Sequence, residues 1–507
     1  MAISPPPCYT AGVKLSRRIG AAAAIGIVLV AVLATAGAAS IALTQVSSDP
    51  FTNATSQHAT EVEPDTFAFG STVVAAFQVG RFFDGGGSDI GYARSTDGGA
   101  TWGTSSFLPG LTSTSSAGAF GDPNSPYERV SDPSVAYDQG HGIWLISSIP
   151  LLPSLAVPTV FVSRSIDGGA TFGNPVSIPA PDRRVDLDKN WTVCDNHLLS
   201  PFFGHCYTEF DNFGENDLEY MSMSSDGGQT WSTPVSPAGH AKGLGGQPVV
   251  QPDGTVIVPF ESLKGVIAAF RSTDGGLTWE KAATVSRISF HDNSGGLRTS
   301  PLPSAEIDGA GNVYVAWEDC RFETKCAAND IVLSSSTDGL TWSPVVRIPI
   351  DPVDSGVDHF IPGLGVDPAT SGSGAHLALT YYYYPDAACT PATCELDVGY
   401  VSSPDGGATW SAPTQLAGPT SLADIASTSQ GPMVGDYISS SFNAAGTVAT
   451  VFAVGNPHSG TVFDEGIWAP SAPLTVASAA LATRAASSDG AANGPGIGEA
   501  QQAIRRD

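Results

Sequence analysis

From about residue 55 to about residue 470, polar and apolar positions alternate in short runs separated by glycine-rich turns. Asp89 to Arg94 and Thr159 to Arg164 alternate with a period of two, which reads as strands with one face buried. Ser134 to Tyr137 with Ile143 to Ile146, and Pro248 to Val250 with Thr255 to Val258, read as further strand pairs. The pattern predicts an all-β fold of short, sequential, antiparallel strands.

One turn recurs. Ser95-Thr-Asp97-Gly-Gly-Ala-Thr-Trp102 returns at Ser165 to Phe172, Ser224 to Trp231, Ser272 to Trp279 and Ser403 to Trp410, and a copy lacking one glycine spans Ser336 to Trp342. The aspartates Asp97, Asp167, Asp226, Asp274, Asp338 and Asp405 are 70, 59, 48, 64 and 67 residues apart. Such an aspartate accepts hydrogen bonds from backbone N–H groups of its own turn, and the glycines supply positive φ. Threonine opens the next strand, and the aromatic packs between sheets. These aspartates are therefore expected to be structural. With a strand pair upstream of each turn, the unit is a four-stranded propeller blade, with strands A to D and the repeated turn between C and D.

Inner strands are expected to open at Glu63-Pro64, Asp132-Pro133, Asp188-Lys189, Gln247-Pro248, Leu302-Pro303, Ile361-Pro362 and Gly435-Asp436-Tyr437. That makes seven blades, with six as the alternative, and six of them carry the box. The last lacks an outer strand, which residues 50–60 are expected to supply.

Composition adds compartment and partner. Lys14, Arg17 and Arg18 precede an apolar run and the small residues Ala36 to Ala39, so residues 1–45 read as a signal peptide or an N-terminal membrane anchor. The propeller then occupies 46–475, and 476–507 form an Ala/Gly/Ser-rich tail expected to be disordered. The pairs Cys194/Cys206, Cys320/Cys326 and Cys389/Cys394 are read as loop disulfides in a secreted or cell-surface protein, metal ligation being the alternative. A net charge of −27 opposes nucleic acid and anionic membrane. Membrane contact is expected only through an uncleaved leader, and the chain is expected to be a monomer. No metal or cofactor is assigned; Asp211 to Asp217 offers calcium-type oxygen ligands but lacks the EF-hand pattern.

Antiparallel alternation puts the boxes at one mouth of the ring and the A-strand starts and B-strand ends at the other, where a site is expected. That mouth collects Glu63, Asp132, Asp188, Lys189 and Asp436 from A-strand starts. Arg81, Glu209, Arg321 and Tyr384 come from B-strand ends, and Arg298 precedes the fifth A strand.

The boxes, their strand setting and the leader resemble the sialidase superfamily of Asp-box propellers over about residues 55–470. That resemblance implies three arginines gripping a substrate carboxylate, an aspartate acid/base, and a tyrosine nucleophile activated by a glutamate. Thr72 to Arg81, followed by Asp84 and Asp89, resembles the stretch carrying an arginine and the acid/base. Arg298 and Arg321 are the other candidate clamps, Tyr384 the candidate nucleophile, and Glu209 a further catalytic candidate. The family's first arginine has no counterpart, because Glu63-Pro64 stands there and would repel a sialic acid carboxylate. Two functions follow as expectations: an exo-glycoside hydrolase acting on extracellular glycan, or a non-catalytic propeller binding a glycan or protein ligand.

Overall fold

The computed structural model describes residues 41–113, 122–477 and 482–483, so residues 1–40 of the leader and nearly all of the tail lie outside the described residues. Among these the chain is all-β, and its helices are five three-residue 3-10 turns.

The strands pair antiparallel in chain order, as propeller blades do. Glu61–Phe69 pairs with Thr72–Arg81, then Gly87–Ser95, then Ser106–Phe107. Arg129–Asp138, Ile143–Leu151, Phe161–Ser165 and Val176–Ser177 repeat the order, and one residue pair, Gly87 with Val130, joins these two sheets. The next sheet contains Leu187–Cys194, Cys206–Asn212 and Leu218–Ser224, with Val235 bridging Met221 in the outer position. Val249–Val250, Val256–Ser262, Val266–Ser272 and Ala283–Arg287 form another. Ser304–Ile307, Val313–Asp319, Asp330–Ser336 and Val346–Arg347 follow. Then come Asp358–Val366, Leu377–Tyr384, Glu395–Ser403 and Thr414–Ser421.

The last sheet, Ser439–Phe442, Thr447–Gly455 and Glu465–Pro470, is completed from the N-terminal end of the chain, by Leu43–Gln45. The expected donor was 50–60, and that assignment is corrected here. Asp49 accepts from the backbone N–H of Phe51 and of Ala59, which folds the intervening stretch into a loop. Leu43–Gln45 thus lies at the end of the segment read as 1–45, where the apolar run gives way to residues the sheet uses.

Each repeated turn is built alike. Asp97 Oδ1 accepts from Thr101 N at 2.8 Å and Ser95 Oγ at 2.8 Å, while Oδ2 accepts from Thr101 Oγ1 at 2.6 Å. Ser95 Oγ in turn accepts from Gly99 N at 2.9 Å. The same bonds recur at Asp167, Asp226, Asp274 and Asp405, and in shortened form at Asp338. Bonds from Thr101 and Thr171 hold Asp97 and Asp167 at about 2, below the usual carboxylate range. The turns lie beside the A–B turns: Gly98 N donates to Ser71 O and Gly406 N to Ala375 O, each at 2.8 Å. Inner-strand starts and B–C loops are therefore at the opposite end of each sheet.

The box aromatics fill the space between sheets. Phe172 packs edge-on against Tyr92 and Trp279 against Phe270, and Trp410 is buried. Burying side chains of this size is worth about 2–3 kcal/mol each, so the repeat supplies packing as well as a turn.

All three expected disulfides are present: Cys194–Cys206, Cys320–Cys326 and Cys389–Cys394. They fit a protein that folds outside a reducing compartment. The first closes the longest loop, with a separation of 12 residues. The double substitution Cys194→Ser/Cys206→Ser is expected to cost about 2–3 kcal/mol, read by urea unfolding. A midpoint equal to the parent's would show that the bridge adds nothing.

Candidate functional site

The inner strands are not regular. Glu63, Asp132, Lys189 and Ile361 have φ of 53°, 49°, 46° and 49°. Each sits where the pairing register slips: Val62/Asp65, Ser131/Ser134, Asp188/Trp191 and Phe360/Gly363. Proline follows in three of the four, and its missing N–H interrupts the ladder there. A bulge re-aims a side chain that a regular strand would send elsewhere. Non-glycine residues with left-handed backbone cost about 1–3 kcal/mol each, a strain that clusters at functional or tightly constrained places.

Three of these bulges converge. Lys189 Nζ is ion-paired with Asp436, and lies 3.5 Å from Glu63 Oε1 and 3.7 Å from Asp132 Oδ1. Arg298 donates from Nε to Asp436 Oδ1 at 2.8 Å and pairs again through Nη2. Asp436 N donates to Glu63 Oε1 at 3.2 Å. Gln78 Nε2 donates to Glu63 and to Ser131 Oγ, and its Oε1 accepts from Arg81 Nη1 at 2.8 Å. Tyr437 OH donates to Pro133 O at 3.0 Å, with Trp191 edge-on to its ring. Glu63, Asp132, Lys189, Arg298 and Asp436 are all buried, at most 3 % exposed. Three carboxylates and two cations from five separate segments of the chain thus form a buried, mutually neutralising knot.

A second acidic group lies on the third sheet. Asp188 pairs with Asp211, and Asp211 with Glu219, as direct cross-strand partners. Glu209 is two residues along on the same face as Asp211, Asp217 immediately precedes the strand of Glu219, and all five are buried. Both carboxylate oxygens of Glu209 and of Glu219 lack a hydrogen-bond partner. Burial first, then repulsion from Glu219, pushes Glu209 well up. Burial and then Asp188 do the same to Asp211. Glu219 is raised too, mainly by burial. Burial and mutual repulsion thus both favour the protonated forms.

The other expected site residues are placed as follows. Tyr384 is fully buried, edge-on to Phe360, with no hydrogen bond from its hydroxyl. Asp89 is fully buried, accepts from Ile90 N, and burial pushes its carboxyl well up. Asp84 is exposed and ion-paired with Arg129. Arg81 is buried against Gln78. Arg321 bonds Asp319 through both Nε and Nη2. Lys189 Nζ, re-aimed by its bulge, reaches carboxylates from distant parts of the chain, Asp436, Glu63 and Asp132.

Two features went unread in the sequence. Asp330, Asp351 and His359 meet at metal-ligand spacing, yet Arg347 already bonds both aspartates and occupies the place of a cation. A cleft of about 940 Å³ is lined by Arg183, Arg184, Phe213, Glu215 and Lys242, among others. The adjacent arginines of an acidic chain were its visible signal.

Residues 206–363 match the model of the BNR repeat-like domain. With the Asp-box turns, this makes the chain sialidase-like in its repeat. No curated protein matches it. Among solved structures it is similar to the Hadza microbial sialidase Hz136, with 18% identity and a TM-score of 0.44, covering 64% of each chain. The chain therefore spans a little under two thirds of that sialidase. A polysaccharide lyase, the PL25 ulvan lyase, aligns with 12% identity and a TM-score of 0.49 over 84% of this chain and 95% of its own. The NanB sialidase of Streptococcus pneumoniae aligns with 13% identity and a TM-score of 0.43, over 85% and 70%. Likenesses this distant decide no chemistry.

Proposed function

We propose that the protein is an exported seven-bladed propeller that binds extracellular glycan on the face where its inner strands begin. The neighbour order of the inner strands supports the count. Glu61–Phe69 lies against Arg129–Asp138, then in turn come Leu187–Cys194, Val249–Val250, Ser304–Ile307, Asp358–Val366 and Ser439–Phe442, which lies against Glu61–Phe69 again. The disulfides support export, and the glycan-acting names of the similar proteins agree with a sugar ligand.

One observation favours binding over hydrolysis. The groups a sialidase mechanism needs are spent internally: Arg298 grips Asp436, Arg321 grips Asp319, and Tyr384, Asp89 and Glu209 are fully buried. A guanidinium already holding an internal carboxylate has no fork left for a substrate's. A nucleophile must also reach the reacting atom.

The test is a panel of fluorogenic glycosides, sialoside included, beside a glycan array, both on the full chain. The expected result is array binding with turnover at background. Turnover abolished by Arg81→Ala and by Tyr384→Phe would restore the hydrolase reading.

A further inference from the structure

We infer that the cleft walled by Arg183, Arg184 and Lys242 is a binding site for an anionic oligosaccharide, one bearing carboxylate or sulfate groups. This rests on the glycan reading above and places its ligand on one side of the face, away from the buried knot. The cleft lies between three connections at the inner-strand end: the link into Leu187–Cys194, the loop between Cys206–Asn212 and Leu218–Ser224, and the link carrying Lys242. Its volume, about 940 Å³, suits a short oligosaccharide.

Charge makes the cleft unusual. The chain carries −27, and Arg129, Arg271, Arg298, Arg321 and Arg347 are each paired with a carboxylate. Arg183 and Arg184 are exposed, and among the described residues their guanidinium groups have neither ion pair nor hydrogen bond. Lys242 Nζ donates to a backbone oxygen, Glu215 O, at 2.7 Å, so its charge is not neutralised there. Glu215, the one carboxylate in the lining, accepts from Tyr220 OH at 2.7 Å, so the lining sets three basic side chains against one acidic one. Asp211 and Glu219, on the strands that carry this loop, are pushed up by burial.

The walls are also preorganised. Asn212 Oδ1 accepts from Asp186 N at 3.0 Å and Gly214 N at 3.1 Å, while its Nδ2 donates to Arg183 O at 3.3 Å. A Cβ on Gly214 would stand 1.7 Å from Arg184 O, so only glycine lets the loops close this tightly. Arg184 is held at φ 43°, a strained conformation for arginine, and both it and Arg183 line the cleft. Two guanidinium forks and an ammonium in one cleft suit carboxylates or sulfates. Half-buried Phe213 provides an apolar face for a sugar ring.

The test is calorimetric titration of the full chain with a galacturonic acid trimer, a sulfated disaccharide, the neutral methyl-esterified trimer and a glutamate oligomer of equal charge. The comparison variant is Arg183→Gln/Arg184→Gly, in which glycine accepts the positive φ and an unchanged melting temperature certifies the fold. At least one anionic sugar is expected to bind, at least tenfold weaker in the variant and weaker with added salt, with the neutral trimer and the glutamate oligomer silent. Equal affinity in parent and variant, or equal binding of the neutral trimer or the glutamate oligomer, overturns the proposal. Array glycans that bind the variant as well as the parent sink the cleft alone; an array blank for the parent sinks the broader glycan reading.

Discussion

Lys189→Met is expected to cost about 3–5 kcal/mol, among the largest single effects in the protein. The side chain is 2 % exposed, and its ammonium faces Asp436, Glu63 and Asp132. Methionine fills similar volume, so packing changes little while the knot loses a cation. Arg298 remains on Asp436, leaving Glu63 and Asp132 to bear the loss. Urea unfolding of the variant, beside Lys189→Met/Asp132→Asn, measures it. The double variant is expected to recover part of the loss, because it removes a charge that the single variant leaves uncompensated. A single variant within about 0.5 kcal/mol of the parent would show that the knot is not what ties the inner strands together.

Stability is expected to peak near pH 4–5 and to fall toward pH 8, which is unusual for a protein outside acidic compartments. Burial raises Glu61 from 4.5 to about 8, Asp65 from 3.8 to about 7 and Asp358 from 3.8 to about 7. Burial also pushes up Asp89, Glu318 and Glu465. A carboxyl whose folded pKa is raised binds its proton more tightly when folded. Its contribution is complete below about 4 and is lost as pH rises through about 7–8. The box aspartates Asp97 and Asp167 act oppositely: held at about 2, they stabilise above about 4 and lose that as pH falls toward 2. Between pH 5 and pH 8 the melting temperature should drop by about 5–10 °C, read by differential scanning calorimetry at constant ionic strength. A flat or rising profile would mean that these carboxylates are compensated.

The repeat was legible because each of its parts acts locally. Ser95, Asp97, Gly99 and Thr101 bond only one another, so a turn is readable wherever they stand in order. Strand order was legible for the same reason, since sequential antiparallel pairing needs only the next segment and a short turn. The disulfides joined residues close in sequence. The outer strand Leu43–Gln45 was not legible: its partner lies at Glu465–Pro470, and a leader and an edge strand are both apolar. Nor did the sequence tell that Lys189 would meet Glu63, Asp132 and Asp436, all far away along the chain. A bulge sets a side chain's direction, and which neighbour it then meets depends on how sheets pack.

What the chain's own order of residues determined is thus an all-β, Asp-box architecture, because alternation, turn chemistry and box aromatics are short-range properties. Tertiary structure alone decided which charges are spent and which are left over. Arg81, Arg298 and Arg321 looked like a clamp as isolated letters and are engaged internally in the fold. Arg183 and Arg184 drew no reading as isolated letters and line a cleft in the fold. A charge's role is fixed by what lies within a few ångströms of it, and that distance is set by segments far away along the chain.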